Sequence, residues 1–309
     1  MQTEKKVLDA DILIVGYGPV GAALGCLLGK YDIQALVIDV EADVLEHPRA
    51  IALDNEALRI LQMTGLPEDS FEKVVLPKVR MWSQYFSDFS EINTTGSING
   101  HPKLVTFFQP ELEEALHKKL QERSGFSLHR GISLSHSEQV EGGVQVELED
   151  NSGTNHSLIC QYLIAADGAN SSIRKSLGLD FKGGKKYDED WLIVDVKDIH
   201  QSQITKAQDH VEFICDPKRA VPHMPAPGNR ERWEFKLRKN EDPEKLMEDK
   251  NINKLLEPWF PHHDANIERK AVYRFQAKTA PRFSKGNTFL IGDAAHVTPP
   301  FVGQGLVAG

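Results

Sequence analysis

DILIVGYGPVGAALG, residues 11–25, is an apolar, β-branched run that passes directly into closely spaced glycines. Continuous apolar runs of this length are typical of central strands in parallel sheets, because such strands are buried on both faces. Gly16, Gly18 and Gly21 form the pattern GxGxxG, which permits a tight turn, close approach of a ligand to the backbone, and close packing of the next helix on the strand. The stretch therefore predicts the first strand, turn and helix of an α/β fold.

A second apolar run, ALVID at residues 35–39, ends in an acid at an informative distance from the glycines. Asp39 follows Gly21 by 18 positions, close to the spacing at which a carboxylate binds the adenosine ribose of a dinucleotide. The helix between the two strands would offer unpaired N–H groups and a positive dipole end to phosphates. We therefore predict a dinucleotide site, against the alternative of a glycine-rich turn in a sheet that binds no nucleotide.

Composition argues against several other classes of protein. The formal net charge is −9 and no basic stripe is interleaved with aromatic residues, so we expect no nucleic-acid partner. Cys26, Cys160 and Cys215 are widely spaced in apolar or strand-like surroundings. This spacing predicts buried, reduced thiols and no zinc site or disulfide framework.

The N-terminal region carries no apolar signal core before the first strand, so we expect a cytoplasmic protein. Residues 12–29 form an uncharged run of 18 residues, near the lower limit for a membrane span. The many glycines and the proline in this run disfavour a continuous helix. We therefore expect no membrane partner.

Two later motifs place acids at the ends of apolar runs. YLIAADGANSSIR, residues 162–174, predicts a strand that ends in Asp-Gly and is followed by a serine-rich helix start. NTFLIGDAAHVTPPFVGQG, residues 287–305, predicts a strand that ends in Gly-Asp and continues through a proline pair to two glycines. A nicotinamide-dependent dehydrogenase would continue with further strand–helix units and a catalytic His or Tyr/Lys pair, which are missing here. The motif order therefore departs from that of a dehydrogenase.

GxGxxG, Asp-Gly and Gly-Asp in this order resemble the single-component FAD-dependent aromatic hydroxylases over nearly the whole chain. HPRAIALDNEALRILQMTGL (47–66), FICDPKRAV (213–221) and RWEFKL (232–237) are similar to the 3-(3-hydroxyphenyl)propionate hydroxylase branch. The resemblance implies an α/β fold: a Rossmann-like FAD-binding domain with an inserted, mostly antiparallel β-sheet substrate domain. It places the FAD-binding domain at 1–74, 104–180 and 279–309, and the substrate domain at 75–103 and 181–278.

The resemblance also assigns residues to FAD. They are, in chain order, Gly16, Gly18, Gly21, Asp39, Arg49, Gln109, Asp167, Gly168, Asp293, Gly303 and Gly305. Arg49 and Gln109 would contact the pyrophosphate and ribityl chain, and Asp293 would bind the ribityl hydroxyls. Pro299 and Pro300 would line the loop beside the flavin ring.

The activity implied by the resemblance is hydroxylation of a phenolic aromatic acid ortho to its hydroxyl group. NADH (or NADPH) would reduce FAD, and O₂ would form a flavin C4a-hydroperoxide that transfers oxygen. Two alternatives stay open: a flavin oxidoreductase that transfers no oxygen, and a truncated remnant of low activity. The second arises because the chain ends within the first turn of a helix that the family continues. A homodimer is compatible with the sequence.

The middle of the chain predicts a different sheet. Residues 191–196, 211–215 and 232–237 alternate as half-buried strands, and residues 78–82 predict a further strand of the same sheet. The carboxylates at positions 111, 113 and 114 are typical of the solvated face of a helix.

Several side chains of the middle region are candidates for a substrate pocket. His210, His223 and Tyr273 could line it, with a structural role equally open for each. Arg219 could face a substrate carboxylate. The run His262-His263-Asp264 is more typical of a surface loop than of a metal site, because adjacent residues rarely point at one metal ion. We expect no metal.

Overall fold

The computed structural model describes residues 8–43, 48–122, 126–197, 209–261, 264–299 and 304–309. The strands are, in chain order, β1 (Leu8–Val15), β2 (Ala35–Asp39), β3 (Ala52–Asp54), β4 (Lys73–Val75), β5 (Lys78–Ser83), β6 (Ser87–Asn93), β7 (Ser97–Ile98), β8 (His101–Pro102), β9 (Leu104–Phe107), β10 (Phe126–Arg130), β11 (Ile132–Val140), β12 (Gly143–Asp150), β13 (Asn155–Ala165), β14 (Lys182–Val196), β15 (Val211–Asp216), β16 (Arg219–Ala226), β17 (Arg230–Lys236), β18 (Ile267–Thr279), β19 (Ser284–Lys285), β20 (Thr288–Leu290) and β21 (His296–Val297). The helices are α1 (Pro19–Lys30), α2 (Asn55–Met63), α3 (Gln109–Gln121), α4 (Ser172–Ser176), α5 (Pro243–Leu246), α6 (Asp249–Leu256) and α7 (Gln304–Val307), and a 3₁₀ turn covers Gly292–Ala294.

The first sheet contains the predicted nucleotide-binding strands. Its order is β10-β2-β1-β13-β12-β11, and β20 adds to β13 in parallel. β1 lies between β2 and β13 with both pairs parallel, and successive residues Leu13 and Ile14 are fully buried on opposite faces. One face packs on α1 and α3, and α4 packs on the other. The predicted α/β class is confirmed.

The glycine turn after β1 has no room for a side chain at two positions. Gly16 has a φ of +104°, and a Cβ there would lie 2.3 Å from the carbonyl oxygen of Ala166 at the end of β13. A Cβ on Gly21 would lie 2.1 Å from the carbonyl oxygen of Gly16. The absence of side chains at both positions therefore lets α1 lie directly against the turn.

The second sheet has the order β21-β18-β14-β17-β16-β15-β5-β6 and is antiparallel except at β15 and β5. The prediction that residues 78–82 join this sheet is confirmed, because β5 pairs with β15. β21 follows β20 of the first sheet but pairs with β18 of the second, so the chain passes from one sheet to the other there. The predicted domain boundaries stay a prediction.

The expectation of half-buried strands in this sheet is wrong for the central strand. Every residue from Trp191 to Val196 is buried. One face of β14 packs on α6 and the residues that follow it, such as Trp259. The other face points toward the segment of Pro48 and Arg49, to which Arg232 on neighbouring β17 donates hydrogen bonds. Two covered faces remove the alternation of exposure that an open sheet would show.

Two further expectations are corrected. Glu113 does not lie on the solvated face of α3: it is 4% exposed and accepts a hydrogen bond from Gln109. Cys26 and Cys160 are buried as predicted, but Cys215 is exposed near the end of β15, where the strand approaches a turn.

In the part of the chain that the structure describes, no group of three or more His, Cys, Asp or Glu side chains could hold a metal ion. His262 and His263 lie outside the described residues. Among the described helices, none has both the length and the apolar character required to cross a membrane.

His223 occupies the face of the second sheet that packs on α6. It is fully buried, its ring stacks on Trp233 at 4.4 Å between centroids, and its Nε2 contacts Glu231. Its Nδ1 lies 3.9 Å from Glu212. Burial opposes charge on the imidazole, but the two carboxylates outweigh it and raise the pKa of His223. The sequence left a pocket role and a structural role open for His223, and these buried contacts are those of a structural residue.

Gly21→Ala should destabilise the protein by about 1–3 kcal/mol, because the new methyl group overlaps the Gly16 carbonyl. Gly18→Ala is the matched control, since a Cβ at position 18 would meet nothing within 4 Å. Urea unfolding of both variants without added FAD measures the difference. Equal losses in the two variants would contradict this account of the turn.

The raised pKa of His223 should make stability depend on pH. A group whose pKa is higher in the folded state contributes stability below its unfolded pKa, about 6.5, and this stability is lost as pH rises through the folded value. The free energy of unfolding should therefore decline above about pH 6.5, and His223→Gln should flatten that decline. His136→Gln, at an exposed position of β11, serves as the control. The same slope in His223→Gln and in the wild type would contradict the prediction.

Candidate functional site

The N-terminus of α1 is open to a ligand. The helix begins after Gly18, whose extended backbone carries no side-chain cap, and no atom lies within 4 Å of where a Cβ would stand. The first N–H groups of a helix have no intrahelical acceptor. An anion such as a phosphate can therefore approach this turn closely and accept those hydrogen bonds.

Asp39 lies at the carboxyl end of β2, beside the glycine turn. Its Oδ2 accepts a hydrogen bond from the backbone N–H of Tyr17, and its Oδ1 accepts one from Glu41 at 2.8 Å. The carboxylate therefore holds the turn in place and lies at its edge. Its predicted contact with a ribose stays a prediction.

Gln109 is buried at the start of α3 and positions the segment of Arg49. Its Oε1 accepts hydrogen bonds from the backbone N–H groups of Arg49 at 2.8 Å and of Ala50 at 2.7 Å. Its Nε2 donates to Glu113 at 2.6 Å. Burial raises the pKa of Glu113, while the hydrogen bond from Gln109 opposes that rise. Sequence reasoning missed Glu113, although the spacing of four residues on one helix was a usable signal.

Arg49 and Asp293 approach each other from different parts of the chain. The side chain of Asp293 reaches solvent from the 3₁₀ turn after β20, but the surrounding protein removes enough water to raise its pKa. His296 and the exposed Arg49 oppose this rise, so both side chains lie within electrostatic range of the carboxylate. The structure thus brings two predicted cofactor residues, Arg49 and Asp293, within electrostatic range of each other.

Arg174 connects the Asp-Gly motif to the Gly-Asp motif. Its guanidinium donates to the carbonyl of Ala294 at 3.1 Å and to that of Ala169 at 3.0 Å, and it stacks on the ring of Phe181. Gly168 has a φ of +77° in the turn before α4. The Oδ2 of Asp167 lies 3.4 Å from the N–H of Ile173 in α4. These contacts hold the two motifs at adjacent strand ends.

The last predicted flavin contacts are only partly described. Pro299 is partly buried in the loop after β21, and Gly305 lies in α7. His296 forms a hydrogen bond with the carbonyl of Ala308 at 3.0 Å, which holds α7 against the Gly-Asp turn. Pro300 and Gly303 lie outside the described residues.

A buried ionic cluster joins the second sheet to the segment of Pro48 and Arg49. Arg232 donates to both oxygens of Asp195, at 2.6 and 2.9 Å, and to the carbonyls of Arg49 at 3.0 Å and Pro48 at 3.1 Å. Arg269 donates to Asp195 at 3.1 Å. Burial alone would raise the pKa of Asp195, but the two arginines lower it below the usual value. Sequence reasoning missed this cluster because its members are far apart in the chain.

A cavity of about 350 Å³ opens on the same face of the second sheet. Its lining includes Trp191, Phe213, Cys215, Pro222 and Lys236. Aromatic and apolar walls with few polar groups are typical of small-molecule sites.

Arg219, which was predicted to face a substrate carboxylate, makes other contacts in the structure. Arg219 donates to the carbonyl of Lys236 at 2.8 Å and pairs with Glu241, so its guanidinium is already engaged. Lys236 lines the cavity itself and pairs with the partly exposed Glu189. Tyr273 contacts Arg269 through its hydroxyl group, and His210 pairs with Asp209.

The family described as "FAD binding domain" matches residues 9–309. The chain belongs to the FAD binding domain family. The resemblance read from the sequence is therefore confirmed at the level of the family.

Curated relatives support the branch within that family. The chain is 33% identical over 302 residues to the 3-(3-hydroxy-phenyl)propionate/3-hydroxycinnamic acid hydroxylase of Burkholderia cenocepacia (strain HI2424), covering 97% of this chain and 54% of the relative. It is 31% identical over 306 residues to the protein of the same name from Comamonas testosteroni, covering 97% of this chain and 50% of the relative. The chain thus spans about half the length of the curated relatives it matches.

Solved structures share the fold. The p-nitrophenol 4-monooxygenase PnpA from Pseudomonas putida DLL-E4 matches with a TM-score of 0.84 at 21% identity, covering 96% of this chain and 76% of that one. The aklavinone-11 hydroxylase, in a ternary complex with FAD and aklavinone, matches with a TM-score of 0.80 at 21% identity, covering 98% of this chain and 61% of that one. These likenesses show the fold of a flavoprotein monooxygenase.

Asp195→Asn should destabilise the protein by about 3–5 kcal/mol, because it leaves Arg232 and Arg269 buried without a counter-charge. Asp188→Asn on the same strand is the control, because its ion pair with Arg274 is exposed to solvent and should matter far less. Urea unfolding measures both changes. A similar loss in the two variants would refute a special role for the buried cluster.

Proposed function

We propose that this chain is the FAD-binding and substrate-binding portion of a monooxygenase that hydroxylates a phenolic aromatic acid. One observation carries the proposal: Gly292 lies against Val20 at the start of α1, Arg49 lies within electrostatic range of Asp293, and the cavity of about 350 Å³ opens on the face of the second sheet that carries Arg232. Membership of the FAD binding domain family supports the cofactor. The names of the relatives in the hydroxyphenylpropionate branch support the substrate class.

These residues fit FAD. The N-terminus of α1, after the turn of Gly16, Gly18 and Gly21, would receive the pyrophosphate, because the first N–H groups of a helix have no intrahelical acceptor and position 18 is open. Asp39 at the edge of the turn would accept hydrogen bonds from the ribose hydroxyls. Asp293 would accept hydrogen bonds from the ribityl chain.

Gln109 would act through Arg49 in this proposal. Because its amide oxygen already accepts two backbone N–H groups, Gln109 would orient the Arg49 segment toward the pyrophosphate. Pro299 and Gly305 would lie beside the flavin ring. Asp167 and Gly168 would support the cofactor from the turn before α4.

The chemistry supplied by bound FAD is acceptance of electrons from NADH and activation of O₂, so that one oxygen atom reaches the ring position ortho to the phenol hydroxyl. The protein must orient the ring and exclude water, since exposure to water favours unproductive release of hydrogen peroxide. Trp191, Phe213 and Pro222 would form the apolar walls of the substrate site. Lys236 would face the substrate carboxylate.

The proposal also includes the cellular location of the enzyme and its small-molecule partners. We propose a cytoplasmic location, since no disulfide joins Cys26, Cys160 and Cys215, which suits a reducing compartment. The partners would be the phenolic acid, NADH and O₂.

The first test of this proposal is the visible absorption spectrum of the purified chain after addition of FAD and desalting. A retained flavin band is expected, and 3-(3-hydroxyphenyl)propionate with NADH should then give a dihydroxylated product by mass spectrometry. NADH oxidation stimulated by this acid without a hydroxylated product would instead support an oxidoreductase that transfers no oxygen. Absence of a flavin band at saturating FAD would overturn the proposal for this chain.

Gly18→Ala should weaken FAD binding by about tenfold or more, because its methyl group would occupy the space next to the pyrophosphate. The stability of the protein without FAD should not change, because the methyl group meets no protein atom. Fluorescence titration with FAD gives the affinity, and thermal unfolding gives the stability. An unchanged FAD affinity would place the pyrophosphate elsewhere.

A further inference from the structure

β6 forms an outer edge of the second sheet and is open to solvent along its whole length. Every residue of the strand is exposed, and among the described residues it pairs only with β5. Phe89 is 51% exposed and Ile92 is 45% exposed, and Phe86 in the preceding turn is 75% exposed. An exposed edge strand that carries large apolar side chains is a template for pairing with a further strand.

The pairing of β6 with β5 shows which of its backbone groups point outward. The N–H of Thr94, just after the strand, donates to the carbonyl of Pro77 at 2.9 Å. Antiparallel strands bond at alternate residues, so Ile92, two residues earlier, also directs its backbone groups to β5. The N–H and C=O groups of Glu91 and Asn93 therefore point to the open edge, where they can bond to another strand.

The charges on this edge are balanced within the hairpin of β5 and β6. Glu91 lies 3.7 Å from Lys78, and Asp88 pairs with Arg80, so each acid of β6 has a cation on β5. β6 contains neither lysine nor proline, the residues that commonly protect an edge strand from pairing. Although the whole chain carries a formal charge of −9, two copies of this edge can therefore approach each other without net repulsion between them.

A second copy of the same edge fits best with a two-fold axis at Ile92. Two identical strands related by such an axis pair antiparallel, and residues equally far before and after the axis lie opposite each other. An axis at Glu91 would place two like charges opposite each other, and an axis at Ser90 would place Phe89 opposite the charged Glu91. With the axis at Ile92, the two Ile92 side chains meet, and Glu91 of each copy lies opposite Asn93 of the other. This register also brings the outward backbone groups of both copies together.

We propose that two copies of this chain associate through β6, so that their second sheets join into one continuous antiparallel sheet across a two-fold axis at Ile92. Backbone hydrogen bonds between Glu91 and Asn93 and burial of Ile92 and Phe89 stabilise the pair. The partner is a second copy of the chain because β6 complements its own edge in charge and in hydrogen bonding. This inference goes beyond the proposed function, since β6 contributes no residue to the cavity or to the predicted FAD contacts.

Sedimentation equilibrium of the whole chain over a range of concentrations, with and without added FAD, tests the association. The mass of two chains is expected under both conditions. Ile92→Lys places two ammonium groups at the axis and should weaken the association by about tenfold or more. Tyr31→Lys is the matched control, because Tyr31 is an exposed apolar residue just after α1, and it should leave the association unchanged.

Disulfide formation tests the position of the axis. Cys215→Ser first removes the exposed native thiol. In that background, Ile92→Cys should give a covalent dimer on mild oxidation, because directly opposite residues of an antiparallel pair lie within disulfide distance. Ser90→Cys is the control: in the same register its two copies lie about 14 Å apart, too far for a disulfide.

A wild-type chain that keeps the mass of one chain at every concentration would overturn the inference. A dimer that Ile92→Lys leaves intact would also overturn it, as would a covalent dimer formed by Ser90→Cys and not by Ile92→Cys. An unchanged circular dichroism spectrum of Ile92→Lys separates loss of pairing from loss of folding. Neither measurement requires hydroxylation, so failure of the proposed function would leave this result unaffected.

Discussion

The buried carboxylate of Asp195, held between Arg232 and Arg269, is the interaction on which the arrangement of this protein depends. Arg232 extends from it to the carbonyls of Pro48 and Arg49, so one guanidinium connects the second sheet to the segment that carries Arg49. The N–H groups of Arg49 and its neighbour are in turn bonded by Gln109 of α3. A continuous set of hydrogen bonds therefore connects the second sheet to α3.

Buried ions are costly to desolvate, so a buried ion pair often adds little net stability. Its effect is more often to fix the relative positions of the groups that it joins. Here both oxygens of Asp195 are occupied, and the remaining donors of Arg232 reach backbone carbonyls. Shifting the sheet relative to the Arg49 segment would break several of these bonds together. The cluster thus specifies a relative position, and the same face of the sheet is left free to carry the cavity.

The two faces of β17 illustrate how one strand serves two purposes. On one face, Trp233 and Phe235 form the core with α6, and Glu231 contacts the buried His223. The other face carries Arg232, Glu234 and Lys236, of which Lys236 lines the cavity. Strand alternation separates the apolar core from a face rich in charged residues.

Much of the first sheet could be predicted from the sequence, because its signals are local. The apolar runs at β1 and β2 and the sterically required Gly16 and Gly21 specify strand, turn and helix without distant residues. The second sheet was predicted less well, because burial of β14 depends on what covers each face. For the same reason, Glu113 was expected in solvent although Gln109 holds it in the interior.

By itself, the sequence determined the nucleotide-binding fold, the family and the residue types available to hold FAD, since glycine patterns and strand-end acids act over short distances in the chain. Only the tertiary structure decided that Gln109 positions Arg49, that Arg219 is engaged elsewhere, and that Asp195, Arg232 and Arg269 form one cluster. Those facts depend on contacts between residues up to 184 positions apart. Burial and charge pairing at such separations arise from packing, which cannot be predicted from a short stretch of sequence.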